Sequence, residues 1–158
     1  MSQYEPFTAE RAVEIISAHA DQDGALLPVL HALQHAFGYI PRDAVPIVAG
    51  ALNLSRADVH GVLTFYHDFR ETPAKGRVLK LCRAEACQAR GSAAVIEEVE
   101  RRLGVAMGGT TADGRVTLEP IFCLGLCASG PAAMLDERIV ARLDDARRLD
   151  RVLEEARS

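Results

Sequence analysis

The sequence predicts an α+β chain in which an N-terminal four-helix bundle precedes an α/β domain built as strand, helix, three strands and helix. Three observations carry that expectation. Apolar residues up to about Phe69 recur at helical spacing, residues 71–76 (Glu-Thr-Pro-Ala-Lys-Gly) break the pattern with turn formers, and short β-type runs then alternate with amphipathic segments. The boundary is placed between residues 72 and 73, giving a helical bundle over 1–72 and a second domain over 73–158.

Each element has a local reason. Thr8 caps a first helix carrying Ala12, Val13, Ile15 and Ile16, which ends near Asp21-Gln22-Asp23-Gly24. Leu26, Leu30, Leu33 and Phe37 form one stripe of a second helix, and Gly38 is its natural stop because glycine enters the left-handed region at little cost. Residues 41–52 read as a third helix, with Pro41 in the first turn where its missing N–H does no harm. Ser55 and Asp58 have capping-box spacing for a fourth helix that brings Val59, Val62, Leu63 and Tyr66 to one side.

In the second half, Val78-Leu79-Lys80-Leu81 reads as a strand running straight into Cys82. Residues 91–103 read as a helix stopped by Gly104, burying Val95, Ile96, Val99 and Leu103. A glycine-rich connection, 107–111, leads to a strand over 115–122 that delivers Cys123. Residues 132–135 and 139–143 form a hairpin around Asp136-Glu137, and a last helix over 145–156 presents Leu149, Val152, Leu153 and Ala156. Asp144-Asp145 suits its positive N-terminal end.

Composition narrows the function. With 49% hydrophobic residues the chain has ample core, and 22 acidic against 18 basic residues give a net charge of -4 with no basic face, which argues against nucleic acid as a partner. Aromatic residues are 5% with no Trp, too few for a wide stacking platform. The N-terminal stretch MSQYEPFTAERAVEII lacks the basic and apolar regions of an export signal, and no apolar run approaches the roughly 18 residues that span a bilayer. The expectation is a soluble cytoplasmic protein without membrane insertion. In that reducing compartment, paired cysteines point to metal ligation rather than disulfides.

All four cysteines fall into two tight pairs, Cys82 with Cys87 and Cys123 with Cys127, separated by 35 residues. Each pair sits just past a predicted strand end, so two loops can deliver two sulfurs each to one inorganic core. A 2Fe-2S cluster needs that set, because each iron takes two thiolates besides the bridging sulfides. Gly125 permits a tight turn in Leu124-Gly125-Leu126 and lets N–H groups approach the sulfurs, while Arg83 and Arg90 add positive potential nearby. Structural zinc also takes four thiolates, but its usual knuckle has two residues between paired cysteines. A catalytic thiol pair would have C-x-x-C spacing. A one-electron carrier is the leading reading, with a zinc-stabilised protein-binding adaptor as the alternative from another class.

The other tempting residues have ordinary readings. His31 and His35 lie one helical turn apart but flank the apolar stripe, and His60 and His67 would share a helix face. Gly108-Gly109 lacks the lysine and helix start of a phosphate loop. No G-x-G-x-x-G follows a strand and there is no P-loop, so independent nucleotide binding lacks support and the hydride step is expected to lie outside this chain.

The pattern Cys82-x4-Cys87 with Cys123-Leu124-Gly125-Leu126-Cys127, preceded by Gly61-Val62-Leu63-Thr64-Phe65-Tyr66, resembles the thioredoxin-like 2Fe-2S ferredoxin family. That family includes the small iron-sulfur subunit of NADH:quinone oxidoreductase, and the resemblance spans nearly the whole chain. It implies a thioredoxin-like second domain and makes Cys82, Cys87, Cys123 and Cys127 the cluster ligands. The stretch from Cys82 to Gln88 and the short C-terminus are most similar to the gamma subunit of soluble NAD-dependent formate dehydrogenases. The resemblance then implies a flavoprotein partner carrying FMN, the NAD site and further iron-sulfur clusters. It also implies a large subunit that oxidises formate at a molybdenum or tungsten pterin. The equivalent subunit of a respiratory NADH:quinone oxidoreductase or an NAD-linked hydrogenase is the alternative within the class. Many relatives carry Ala-Pro where this chain has Gly130-Pro131.

Overall fold

A computed structural model describes residues 4–158. The chain divides into two compact units, Met1–Ala74 and Lys75–Ser158.

The first unit holds four helices: α1 (Ala9–Ser17), α2 (Leu26–Phe37), α3 (Ala44–Ala51) and α4 (Arg56–Phe65). Their ends follow the local chemistry. Thr8 Oγ1 accepts the N–H of Arg11 at 3.2 Å, and Gly38 closes α2 at φ 77°. The Ser55–Asp58 capping box is complete: Ser55 Oγ accepts the Asp58 N–H at 3.0 Å, while Asp58 Oδ2 accepts the N–H of Ser55 at 3.0 Å. Ala12, Ile15, Ile16, Val29, Leu30, Leu33, Phe37, Val48, Val59 and Leu63 build the core.

Three expectations shift here. Val13 is 49% exposed rather than buried, because α1 needs only the narrower face of Ala12, Ile15 and Ile16. The third helix starts at Ala44, since residues 41–43 form a turn in which Pro41 O accepts the Ala44 N–H at 2.9 Å. The fourth ends at Phe65, with Tyr66 as an extended C-cap, so His67 lies in a turn and shares no helix face with His60. Tyr66 packs its ring edge-on against both Phe65 and Phe69 instead of joining the stripe. His31 tilts against Phe69 with ring centroids 4.8 Å apart.

The second unit is a four-stranded mixed sheet in the order β2-β1-β3-β4, with β1 Arg77–Cys82, β2 Val116–Ile121, β3 Ala133–Leu135 and β4 Arg138–Val140. Central β1 pairs parallel with β2 from Arg77↔Val116 to Cys82↔Ile121, and antiparallel with β3 through Leu79↔Leu135. A five-residue helix, α5 (Glu85–Ala89), follows β1, then come α6 (Ser92–Leu103) and, at the end, α7 (Ala146–Arg157). Leu79, Leu81, Leu118 and Leu135 on one sheet face join Val95, Val99, Leu103, Leu149, Val152 and Leu153 of α6 and α7 in a single core. At about 25 cal/mol per Å² of apolar surface, burying such side chains is the main favourable contribution to this layer.

Two details lock the sheet. Gly76, at φ +65°, lies so close to Arg115 that an added Cβ would sit 2.0 Å from the Arg115 carbonyl oxygen. Only glycine lets β1 and β2 start side by side there. Asp136, in the β3–β4 turn at φ 54°, accepts the Arg77 Nε–H at 2.8 Å and the Val78 N–H at 2.9 Å. Among the described residues no helix is long and apolar enough to cross a membrane.

Candidate metal centre

The parallel β1–β2 register decides where the cysteines go. Cys82 is the last residue of β1 and stands opposite Ile121, the last of β2, so the chain leaves both strands at the same sheet end. The Arg83 N–H donates to Ile121 O at 2.8 Å and the Cys82 N–H to Ala132 O at 2.9 Å, which fixes the first cysteine against both neighbouring strands. Cys123 follows two residues after β2, and Cys127 opens a 3-10 turn, Cys127–Ser129.

The arch after Cys82 is partly helical. α5 begins at Glu85 and carries Cys87 inside it, turning its side chain back toward Cys82. Cys82 and Cys87 are 2% and 3% exposed and pack with Ala132, Ala84, Ile121, Leu124 and Leu126. Cys123 and Cys127 are exposed and carry free thiols, as do the buried pair.

The thiols fall into two neighbouring pairs, Cys82 with Cys87 and Cys123 with Cys127, and Cys127 lies within electrostatic reach of both buried thiols. Burial alone would raise the Cys82 thiol. Backbone N–H groups of Ala84, Cys123 and Leu124, with the Cys87 thiol, outweigh it and hold Cys82 below the ordinary thiol range. Burial and the Cys82 sulfur push Cys87 up, opposed by an N–H from Ala132. Cys127 is raised mainly by its hydrogen bond with Cys123. Thiolates this close repel one another, and a positively charged inorganic core relieves that repulsion.

The backbone around the exposed pair is built for sulfur. Gly125, at φ +74°, points its N–H at Cys123 Sγ at 3.3 Å, the donor role that its glycine suggested. Cys123 itself sits at φ 97°, a region costly for a residue with a Cβ and found where function dictates the geometry. On the buried side, Gly130 passes Cys87 so closely that an added Cβ would stand 3.0 Å from its sulfur and 3.6 Å from Arg90 Cδ. Arg90 Nε–H donates to Gly130 O at 2.9 Å, tying the C-terminal end of α5 to the loop beyond Cys127.

Among the described residues no three His, Cys, Asp or Glu side chains gather around a single-ion site, and the thiols stand as two pairs. Four thiols, N–H donors aimed at them and a glycine cradle fit a 2Fe-2S group. Two contributors carried no signal in the sequence, the N–H groups of Ala84 and Ala132. His31, His35, His60 and His67 all belong to the helical unit, where their side chains are exposed.

A mixed sheet with two helices on one face, offering paired thiols at a strand-end rim, defines a thioredoxin-like iron-sulfur carrier. The family model "Thioredoxin-like [2Fe-2S] ferredoxin" matches residues 12–157, and the chain belongs to that family. It is 35% identical over 119 residues to a subunit of the NADH-quinone oxidoreductase of Pseudomonas aeruginosa, covering 75% of this chain and 72% of that one. It is 32% identical over 127 residues to the HndA component of the NADP-reducing hydrogenase of Solidesulfovibrio fructosivorans, covering 80% and 74%. Among solved structures, an air-oxidised NAD+-reducing [NiFe]-hydrogenase superposes with a TM-score of 0.66 at 28% identity. That match covers 80% of this chain but 22% of the hydrogenase chain.

Proposed function

We propose that Cys82, Cys87, Cys123 and Cys127 hold one 2Fe-2S cluster and that the chain is a cytoplasmic, non-catalytic electron-transfer subunit of an NAD-linked oxidoreductase. One observation carries this reading: two strand ends deliver two thiol pairs at the same end of the sheet, with the Gly125 N–H donating to Cys123 Sγ. A bound cluster supplies one-electron uptake and release. The chain's own residues supply the rest. Cys82 and Cys87 hold the buried side, where Ala132, Leu124 and Leu126 exclude water. Cys123 and Cys127 hold the exposed side, which brings it nearest a docked redox partner. N–H groups directed at sulfur favour the more negative, reduced state.

The parent complex is an NAD-dependent formate dehydrogenase, in which formate and NAD+ become CO2 and NADH. The similarity of Cys82-Arg83-Ala84-Glu85-Ala86-Cys87-Gln88 to its gamma subunits supports this choice. The partners are then a flavoprotein with FMN, the NAD site and further iron-sulfur clusters, and a large subunit with a molybdenum or tungsten pterin. The helical unit serves docking. A second reading, the matching subunit of an NADH:quinone oxidoreductase or NAD(P)-reducing hydrogenase, is favoured by the relatives' own names. The test is to purify the complex through this chain and assay it. Formate-dependent NAD+ reduction supports the first reading; NADH:quinone or hydrogen-dependent activity without formate activity rejects it for the second.

A further inference from the structure

Beyond the second cysteine pair in the chain, a groove of about 460 Å³ runs between edge strand β4 and the first turns of α7. Arg138, Arg147, Arg148 and Arg151 line it, with Asp145 the one carboxylate. In a chain of net charge -4 this is a local reversal of sign. Apart from Arg138, its arginines are not neutralised by ion pairs from within. Asp145 caps its own helix by accepting the N–H groups of Arg147 and Arg148, at 2.9 and 3.3 Å. Asp150 pairs with Arg102 at 2.7 Å, and Glu155 pairs with Arg138. Among the described residues, the side chains of Arg147, Arg148 and Arg151 have no partner.

The other wall is an unpaired strand edge. β4 is the last strand of the sheet and pairs with β3 through Ala133↔Val140, Met134↔Ile139 and Leu135↔Arg138. In a hairpin closed by the two residues Asp136 and Glu137, the Leu135–Arg138 and Ala133–Val140 pairs exchange hydrogen bonds and Ile139 does not. The N–H and C=O of Ile139 therefore point outward from the sheet. Its side chain, 50% exposed, alternates to the face opposite Arg138 and Val140.

We propose that this groove takes an extended acidic segment of another polypeptide, which adds to β4 as a fifth strand. Main-chain bonds to Ile139 set its position, and the pleat sorts its side chains. Residues on the helix side meet Arg147, Arg148 and Arg151 and are Asp or Glu; those on the other side meet Ile139 and are apolar. The occupant is thus a short stretch of alternating acidic and apolar residues, recognised by charge and by strand pairing together.

The full-length, cluster-loaded protein tests this by fluorescence anisotropy with two labelled peptides, one alternating Glu and Val, the other Lys and Val. The Glu-Val peptide is expected to bind, and the Lys-Val peptide to bind at least tenfold more weakly. The combined variant Arg147→Glu, Arg148→Glu, Arg151→Glu loses that preference. Ile139→Pro, which removes the outward N–H together with the isoleucine side chain, weakens binding at least tenfold at unchanged charge. Iron content and thermal unfolding of both variants match the parent. Absence of binding, equal affinity for the two peptides, parental affinity in either variant, or full competition by inorganic phosphate at constant ionic strength overturns the proposal. Cluster content is read separately, so failure here leaves the electron-transfer reading standing.

Discussion

Gly130 offers a graded test of how tightly the second cysteine loop is fitted to the first. Its φ of -66° and ψ of 166° lie in extended backbone open to L residues, so a substitution meets no left-handed strain and is felt in the packing around Cys87. An alanine Cβ would stand 3.0 Å from Cys87 Sγ and 3.7 Å from Cys87 Cα. Ordinary contacts of this kind lie at about 3.5–4 Å, so the sulfur must give by a few tenths of an ångström. Cys87 can do so by turning about χ1, at a cost of about 0.5–1.5 kcal/mol. Valine adds two methyl groups where Cys87 Sγ and Arg90 Cδ already press. Overpacking of that sort costs about 1–3 kcal/mol, and with roughly 4–8 °C of Tm per kcal/mol in a domain this size the loss is easily measured. The assay is iron and acid-labile sulfide per chain together with thermal unfolding of the full-length protein. Gly130→Ala keeps its cluster with a small drop in Tm; Gly130→Val loses both cluster and stability. Parental cluster content and Tm in Gly130→Val, or equal damage from both changes, would refute the close-fit reasoning.

Three further outcomes are expected. Cys87→Ser and Cys123→Ser each lower cluster content far more than His35→Ala, and equal iron in all three variants would sink the ligand assignment. Asp136→Ala removes the acceptor of Arg77 Nε and of the Val78 N–H and should cost about 1.5–3 kcal/mol by urea unfolding. Asp136→Asn costs less, because it keeps an acceptor and tolerates the positive φ; the reverse order would contradict this role of the turn. Side-chain and backbone hydrogen bonds from Ser55 hold the Asp58 carboxyl below its ordinary range. Its folded value being the lower one, the cap contributes fully above about pH 4 and is lost as pH falls through the depressed value. Asp58→Asn should therefore flatten the acid limb of the stability curve, and an unchanged limb would argue against the capping box.

Features set by a few neighbouring residues were legible in the sequence. Thr8, the Ser55–Asp58 pair, Gly38 and Gly104 act as caps within one turn of their helices, so spacing alone finds them. The switch from helical to strand grammar and the two cysteine pairs were equally local. What depends on distant packing was not. Val13 has helical spacing yet faces out, and Tyr66 leaves the helix to meet Phe69. The α5 turn that carries Cys87 is too short to show a period. The left-handed backbone of Cys123 and the contact of Gly130 with Cys87 arise only when two loops, 35 residues apart in the chain, meet at one sheet end.

The central claim, that Cys82, Cys87, Cys123 and Cys127 hold a 2Fe-2S cluster, is tested most directly on anaerobically purified full-length protein. Iron and acid-labile sulfide are measured together with the EPR spectrum before and after reduction. The expected result is red-brown protein with iron and sulfide in equal amounts and a rhombic signal that appears only on reduction. Colourless protein holding one zinc per chain, without sulfide, would contradict it.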